Sequence, residues 1–433
     1  MDSEDRICLA SGDGHVGPPT AVYRDHLERW LRPLFDEYLA EHVWRWSPQS
    51  PDSFFPPEYN AKLWDSEGFD PAVGTATVWD PELRLKAMDQ AMVACDVLVP
   101  DDQNMNDPPW GAGLANATVE GPDGANPHPP GLVRAGARAY NRWLAEFCSA
   151  SPERLRGITL LGTMDDVVWV VDEIHRAFES GLTTGVLLPL DYYLPPYHHP
   201  RYDIVWQACS ELGLSVVTHV SRGHPNYIGT DPRTQFVLYG VEAFWYAQRP
   251  IWTMILGGVL ERFPDLRLVI TELGVGWVAP LLKGLDTTFG AFPGMRAEQG
   301  IDRRSLSMEP SEYWRRQCFV THSTSQHREH FEGAAFDAVP NMVWGADIGH
   351  AEGWWPTFGF PPPVPDGLAG PEVGLPVRPA ADMARSLWRD LPAATLRPYL
   401  ESNFFRAYPN VDRAALQDVV DRVGPTPGEL GLI

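Results

Sequence analysis

Apolar positions along the chain fall into short runs, separated by stretches with helical spacing. Arg6–Ser11 is the first run that reads as a strand. The others are Ala91–Pro100, Leu155–Gly162, Thr184–Pro189, Ser215–Val220, Leu266–Leu273, Gln317–Thr321 and Met342–Ala346. A short apolar run without alternation is how a strand reads when both of its faces are covered. Between the runs, Asp165–Ser180 starts acidic, carries an apolar stripe and is followed by Gly181, where a C-cap glycine belongs. Tyr202–Leu212 ends at Gly213 in the same way, and Pro81–Gln90 and Gly136–Phe147 also read as helices. Eight buried strands alternating with helices predict an α/β protein with a parallel sheet. Spread over more than about 250 residues, they favour a closed (β/α)8 TIM barrel over an open doubly wound sheet. No GxGxxG or GxxxxGK[ST] follows an early strand, so a nucleotide-cradling sheet loses support.

The remaining length goes into insertions, so a single domain spanning 1–433 is expected, with insertions at about 27–77, 101–130 and 354–379. They are rich in Trp, Pro and Gly and follow strand C-termini, where barrel enzymes build their sites. Loops of this length serve as lids or interface arms, and on that ground a homodimer is expected.

Charge narrows the partners. Lys and Arg number 34 against 57 Asp and Glu, for a net charge of −23. Nucleic acid and an anionic membrane surface both want a basic stripe, and none is visible. A small-molecule substrate is the expected partner. The five cysteines are scattered and never form a CxxC pair, which fits reduced thiols rather than a disulfide scaffold or zinc knuckle. The acidic start Met1-Asp2-Ser3-Glu4-Asp5 has no apolar leader, and no stretch approaches the roughly 20 apolar residues of a membrane span. A cytoplasmic location is the expectation that follows.

The chemistry is sought among polar residues at strand ends. Asp13-Gly14-His15 follows the first run, and residues i and i+2 on an extended segment point the same way. His219 closes the fifth strand, Glu272 lies in the sixth, His322 closes the seventh and Asp347 the eighth, with His350 three residues on. Singly each signal is weak. Jointly, imidazoles and carboxylates at the mouths of strands one, five and eight make a mixed nitrogen and oxygen site for one divalent ion, Zn²⁺ first and Mn²⁺ second. Arg222, His224, His322, His350 and Trp354 are substrate-binding candidates, Arg222 as a planar fork for a carboxylate. Trp245, Trp252, Trp354 and Trp355 are candidates for an apolar wall, with core packing the expected role of Trp252. His198 and His199 invite a metal reading, but adjacent side chains on an extended loop diverge.

Several segments, taken in order, carry a family resemblance. They include Ser11-Gly12-Asp13-Gly14-His15-Val16, Trp79 through Asp89, Pro152-Glu153-Arg154-Leu155-Arg156-Gly157 and Val217-Thr218-His219. Glu272-Leu273-Gly274-Val275-Gly276-Trp277, Trp344 through His350 and Asn403-Phe404-Phe405-Arg406-Ala407-Tyr408 complete the series. With these the chain resembles the amidohydrolase-2 branch of the metal-dependent amidohydrolases, which includes enzymes like aminocarboxymuconate semialdehyde decarboxylase. The resemblance implies a distorted barrel with one divalent ion. Asp13 and His15 match the first-strand ligand pair, His219 the fifth-strand ligand, and Asp347 the aspartate that touches metal and moves protons. Three positions depart from the pattern. Asp13 stands where relatives carry His or Glu, Ile348-Gly349 where Tyr-Pro is usual, and Glu272 where the decarboxylases carry His.

The expected function is a hydrolase acting on a C–N, C–O or C–C bond of a small aromatic or cyclic compound. A metal-activated water would attack, with Asp347 as general base. Glu272 would bind water, add a fifth ligand or act as a second acid. The alternative is a non-oxidative decarboxylase using the same ion and Asp347. The missing sixth-strand His tilts the reading towards hydrolysis.

Overall fold

A computed structural model of the chain describes residues 6–42, 76–101, 106–114, 126–190, 194–220, 232–292, 306–323, 326–349 and 380–433. Eight strands form one parallel sheet in sequence order. They are β1 (Ala10–Val16), β2 (Cys95–Pro100), β3 (Leu155–Leu160), β4 (Gly185–Leu187), β5 (Ser215–His219), β6 (Leu268–Thr271), β7 (Cys318–His322) and β8 (Met342–Trp344). Every neighbouring pair from β1 through β8 is parallel. The ring closes beyond β8 through a parallel bridge between Gly14 and Ile348. The result is a nearly closed (β/α)8 barrel, as the alternation of runs predicts.

Every strand residue except Arg156 is buried, so both faces of each strand are covered. Register places Leu160, Leu187, Val217, Val269 and Phe319 in one row across five strands. Two residues further along β5, on the same face as Val217, stands His219. The interior is thus closed by side chains below and opens into polar groups at the mouth.

The helices sit where the periodicity puts them. Pro81–Gln90 is capped by Asp80, whose side chain accepts from the backbone N–H groups of Glu82 and Leu83. Val167–Glu179 is capped by Asp166 and stops before Gly181, which adopts φ +100°. Asp203–Glu211 stops before Gly213 at φ +65°. Pro130–Cys148 is longer than its sequence reading, with Pro130 at its first position and its buried face starting at Val133, ahead of Gly136. Helix Asn403–Ala407 contacts β1, β7 and β8, and the Ser215 hydroxyl donates to the Ala407 carbonyl.

Each strand's bounds differ from the expected run at one end or both, and three of these shifts matter for the site. The paired part of β1 begins at Ala10 rather than Arg6, so Asp13 and His15 lie inside the strand. The apolar stretch Ile7-Cys8-Leu9 lies ahead of the ladder, and the Ala94 N–H, just before β2, donates to the Leu9 carbonyl. β6 stops at Thr271 and β8 at Trp344, so Glu272 and Asp347 stand past the strands. Hydrophobic patterning tracks burial, and in these stretches burial continues beyond pairing.

All five cysteines are free and buried. Burial pushes the thiols of Cys8, Cys148 and Cys209 up to about 12, which makes them inert packing groups. Among the described residues no helix is long and apolar enough to cross a membrane. Of the expected insertions, 43–75, 102–105, 115–125 and 354–379 lie outside the described residues.

Candidate metal centre

β1 carries a register irregularity between Ser11 and Gly14. A bulge re-aims side chains, and here Asp13 and His15 both face the same cluster. The Asp13 backbone accepts from the Ser11 hydroxyl at 2.7 Å and from the Asp347 N–H at 2.8 Å. The Ser323 hydroxyl donates to Asp13 Oδ2, leaving Oδ1 for the cluster.

Five groups from four strand ends converge. His15 Nε2 lies 3.6 Å from Asp13 Oδ1 and 3.2 Å from Asp347 Oδ1. His219 Nε2 lies 3.6 Å from Asp13 Oδ1 and 3.2 Å from Glu272 Oε2. The two imidazole rings meet edge to face at 5.0 Å. Donor atoms of Asp13, His15 and His219 all fall within 4.8 Å of one another, and all three residues are buried.

The proton positions decide what this cluster can hold. His15 Nδ1 lies 2.9 Å from the Pro100 carbonyl, and His219 Nδ1 lies 2.7 Å from the Val220 carbonyl. A carbonyl only accepts, so each ring carries a proton on Nδ1 and turns Nε2 inward. Those nitrogens face carboxylate oxygens, which only accept. Asp13 Oδ1 and His219 Nε2 are buried and make no hydrogen bond among the described residues. Carboxylate oxygens crowded in a low-dielectric interior call for positive charge among them, which a proton on Nε2 or a bound cation supplies.

The donor set fits one. Donors 2.0–2.1 Å from a tetrahedral ion are separated by about 3.4 Å, and the four histidine–carboxylate separations here run from 3.2 to 3.6 Å. Mixed imidazole and carboxylate donors suit Zn²⁺ or Mn²⁺.

Backbone strain marks the same place. Glu272 has φ +62° and Asp347 φ +52°, in the left-handed region that non-glycine residues avoid. Each costs about 1–2 kcal/mol. Strain of this kind gathers where a side chain must be aimed at a ligand.

The remaining sequence candidates are placed as follows. The His322 ring packs against His330 and Phe331, at 5.0 and 5.7 Å, with His322 Nε2 3.1 Å from His330 Nδ1. Trp252 is half-buried against the core, and Trp245, 54% exposed, stacks on it at 5.6 Å. His199 caps the turn Pro200–Tyr202 by accepting from the Arg201 N–H. Arg222, His224, His350, Trp354 and Trp355 lie outside the described residues. Sequence reasoning missed Ser323, whose only sequence signal is its place directly after a strand-end histidine. It also missed the Pro100 and Val220 carbonyls that set the histidine tautomers.

Ala112, Gly113, Leu114, Leu160, Leu187, Leu188 and Pro189 line a small apolar recess at the ends of β3 and β4.

A model of the amidohydrolase family matches residues 42–403. A search of curated proteins finds no match. Among solved structures, an amidohydrolase from Mycobacterium avium subsp. paratuberculosis aligns with a TM-score of 0.61 at 18% identity, covering 93% of this chain and 98% of that one. A 5-carboxyvanillate decarboxylase from Novosphingobium aromaticivorans, complexed with manganese and 4-hydroxy-3-methoxy-5-nitrobenzoic acid, aligns at 0.60 and 16% identity, covering 94% and 97%. A 4-oxalomesaconate hydratase from Rhodopseudomonas palustris aligns at 0.51 and 14% identity, covering 95% and 98%. At these identities the likeness is one of fold.

Proposed function

The chain belongs to the amidohydrolase family, and from that premise we propose that it is a metal-dependent hydrolase of a small, uncharged aromatic or cyclic compound. The bond cleaved is C–N, C–O or C–C. In this reading Asp13, His15, His219 and Asp347 hold one divalent ion, Zn²⁺ in first place and Mn²⁺ in second. When bound, the ion supplies Lewis acidity towards a substrate oxygen or a water.

The observation that carries the reading is Glu272 Oε2, 3.2 Å from His219 Nε2. It adds a third carboxylate to Asp13 and Asp347. Three negative charges against one divalent cation leave the site with a net charge of −1. A substrate that is itself a carboxylate would be repelled there, whereas water and a neutral substrate would not. Two carboxylates beyond Asp13 also allow divided work. Asp347 takes a proton from water as its oxygen attacks the electrophilic carbon. Asp347 then returns that proton to the departing atom, directly or by way of Glu272, which would take it up and pass it on. His15 and His219 keep their Nδ1 protons on backbone carbonyls throughout.

A second reading, carboxy-lyase, is favoured by the likeness to the 5-carboxyvanillate decarboxylase. The two differ in products. Turnover in ¹⁸O-labelled water should place one ¹⁸O in the hydrolysis product. Release of CO₂ with solvent deuterium at the vacated carbon would overturn the hydrolase reading and establish the lyase.

Glu272→Gln separates a chemical from a structural role. Removing one of three crowded carboxylates relieves repulsion in the metal-free protein, so its thermal midpoint should hold or rise. Turnover should fall at least about 100-fold. A large loss of midpoint with normal turnover per folded molecule would make Glu272 structural.

A further inference from the structure

The segment Trp79–Asp89 resembles its family but takes no part in the chemistry above. At its centre Arg84 is fully buried, as is its partner Asp96 on β2. Arg84 Nη2 donates to Asp96 Oδ2 at 2.7 Å. Arg84 Nη1 donates to two carbonyls, those of His15 and Ile348, both at 2.9 Å. These carbonyls lie on opposite sides of the seam where the barrel closes.

That seam is thin. Among the described residues, β1 and the segment after β8 share one bridge, Gly14 with Ile348. Two backbone bonds cross it, His15 N–H to Ile348 and Asp347 N–H to Asp13, both 2.8 Å. Asp13 and His15 stand on one side and Asp347 on the other. Elsewhere in the barrel a ladder sets the spacing of adjacent strands, whereas here the guanidinium spans the gap. Its planar fork has fixed donor directions, and burial strengthens each bond it makes. Gly14 records the same constraint. A Cβ built there would fall 2.5 Å from both Arg84 Nη2 and Asp96 Oδ2, so the ion pair occupies the space beneath the Asp-Gly-His turn.

We infer that the Arg84–Asp96 pair is a positioning device, which sets the distance between the β1 donors and Asp347 and thereby tunes affinity for the cation. Arg84 acts through the backbone of residues beside the donors and touches no substrate. The inference rests on reading the cluster as a cation site. A pair that served the fold alone would behave differently, because replacing both members of a buried ion pair by apolar residues is often neutral for stability.

The test measures two quantities on the full chain. They are Zn²⁺ affinity by calorimetric titration and the thermal midpoint of the metal-free protein. The variants are Arg84→Lys, the double variant Arg84→Met with Asp96→Leu, and Arg154→Met for comparison. Arg154 makes an analogous set of bonds at the other end of β2, to the Val93 and Ala94 carbonyls and to Asp89, away from the seam. Both Arg84 variants should bind Zn²⁺ about 10- to 100-fold more weakly. Arg154→Met should lower the midpoint and leave affinity unchanged. Arg84 variants with a lowered midpoint and wild-type affinity would overturn the inference. Wild-type protein that binds no Zn²⁺ would instead sink the cation site itself. Should the double variant not fold, Arg84→Lys decides, since it keeps the charge beside Asp96 but cannot span both carbonyls.

Discussion

Replacing Asp347 by Asn should lower turnover by about 100- to 10,000-fold, the range for loss of a positioned general base, while fold and most of the metal are retained. Asn has nearly the same shape and tolerates the left-handed backbone that Asp347 adopts at φ +52°. Its amide keeps contact with His15 Nε2, which lies 3.2 Å from Asp347 Oδ1. The Asp347 N–H to Asp13 bond is backbone and is untouched. What disappears is the capacity to take a proton. The measurement is turnover per folded molecule beside metal content and circular dichroism. Activity equal to wild type would remove Asp347 from the mechanism.

Stripping the protein with a chelator should abolish turnover, and added Zn²⁺ or Mn²⁺ should restore it. The same treatment should lower the thermal midpoint. Without a cation, the Asp13 and Asp347 carboxylates and the inward Nε2 atoms of His15 and His219 crowd one another at 3.2–3.6 Å in a buried cluster. An ion present at 100 times its Kd adds about 2.7 kcal/mol to folding stability, which is a shift of a few degrees for a chain of this size. A midpoint that ignores both chelator and metal, together with no stoichiometric ion by elemental analysis, would sink the site.

Much of this was legible in the sequence because it depends on local periodicity. The eight buried runs alternate with capped helices, so the barrel could be read before any coordinate. Asp13, His15 and His219 could be picked out as well, since i, i+2 geometry and strand-end placement are properties of a short segment. Other features were not legible. The first run was placed four residues early because Ile7, Cys8 and Leu9 are buried without being paired, and burial is what hydrophobicity reports. Glu272 read as a strand residue because the φ that turns it into the cluster leaves no mark on a residue that is not glycine. Ser323 and Arg84 act on groups 310 and 264 positions away, the Asp13 carboxylate and the Ile348 carbonyl.

The sequence by itself determined the fold class, the acidic character that disfavours nucleic acid, and the residue types able to bind a cation. Each follows from composition or from spacing over a few residues. The tertiary structure alone decided that five of those groups meet, and that both histidines turn Nε2 towards carboxylates. It also decided that one buried arginine spans the seam between them. The reason is physical. Convergence depends on strand register and on ring closure between β8 and β1, and no local stretch of chain encodes a distance to a residue more than 300 positions away.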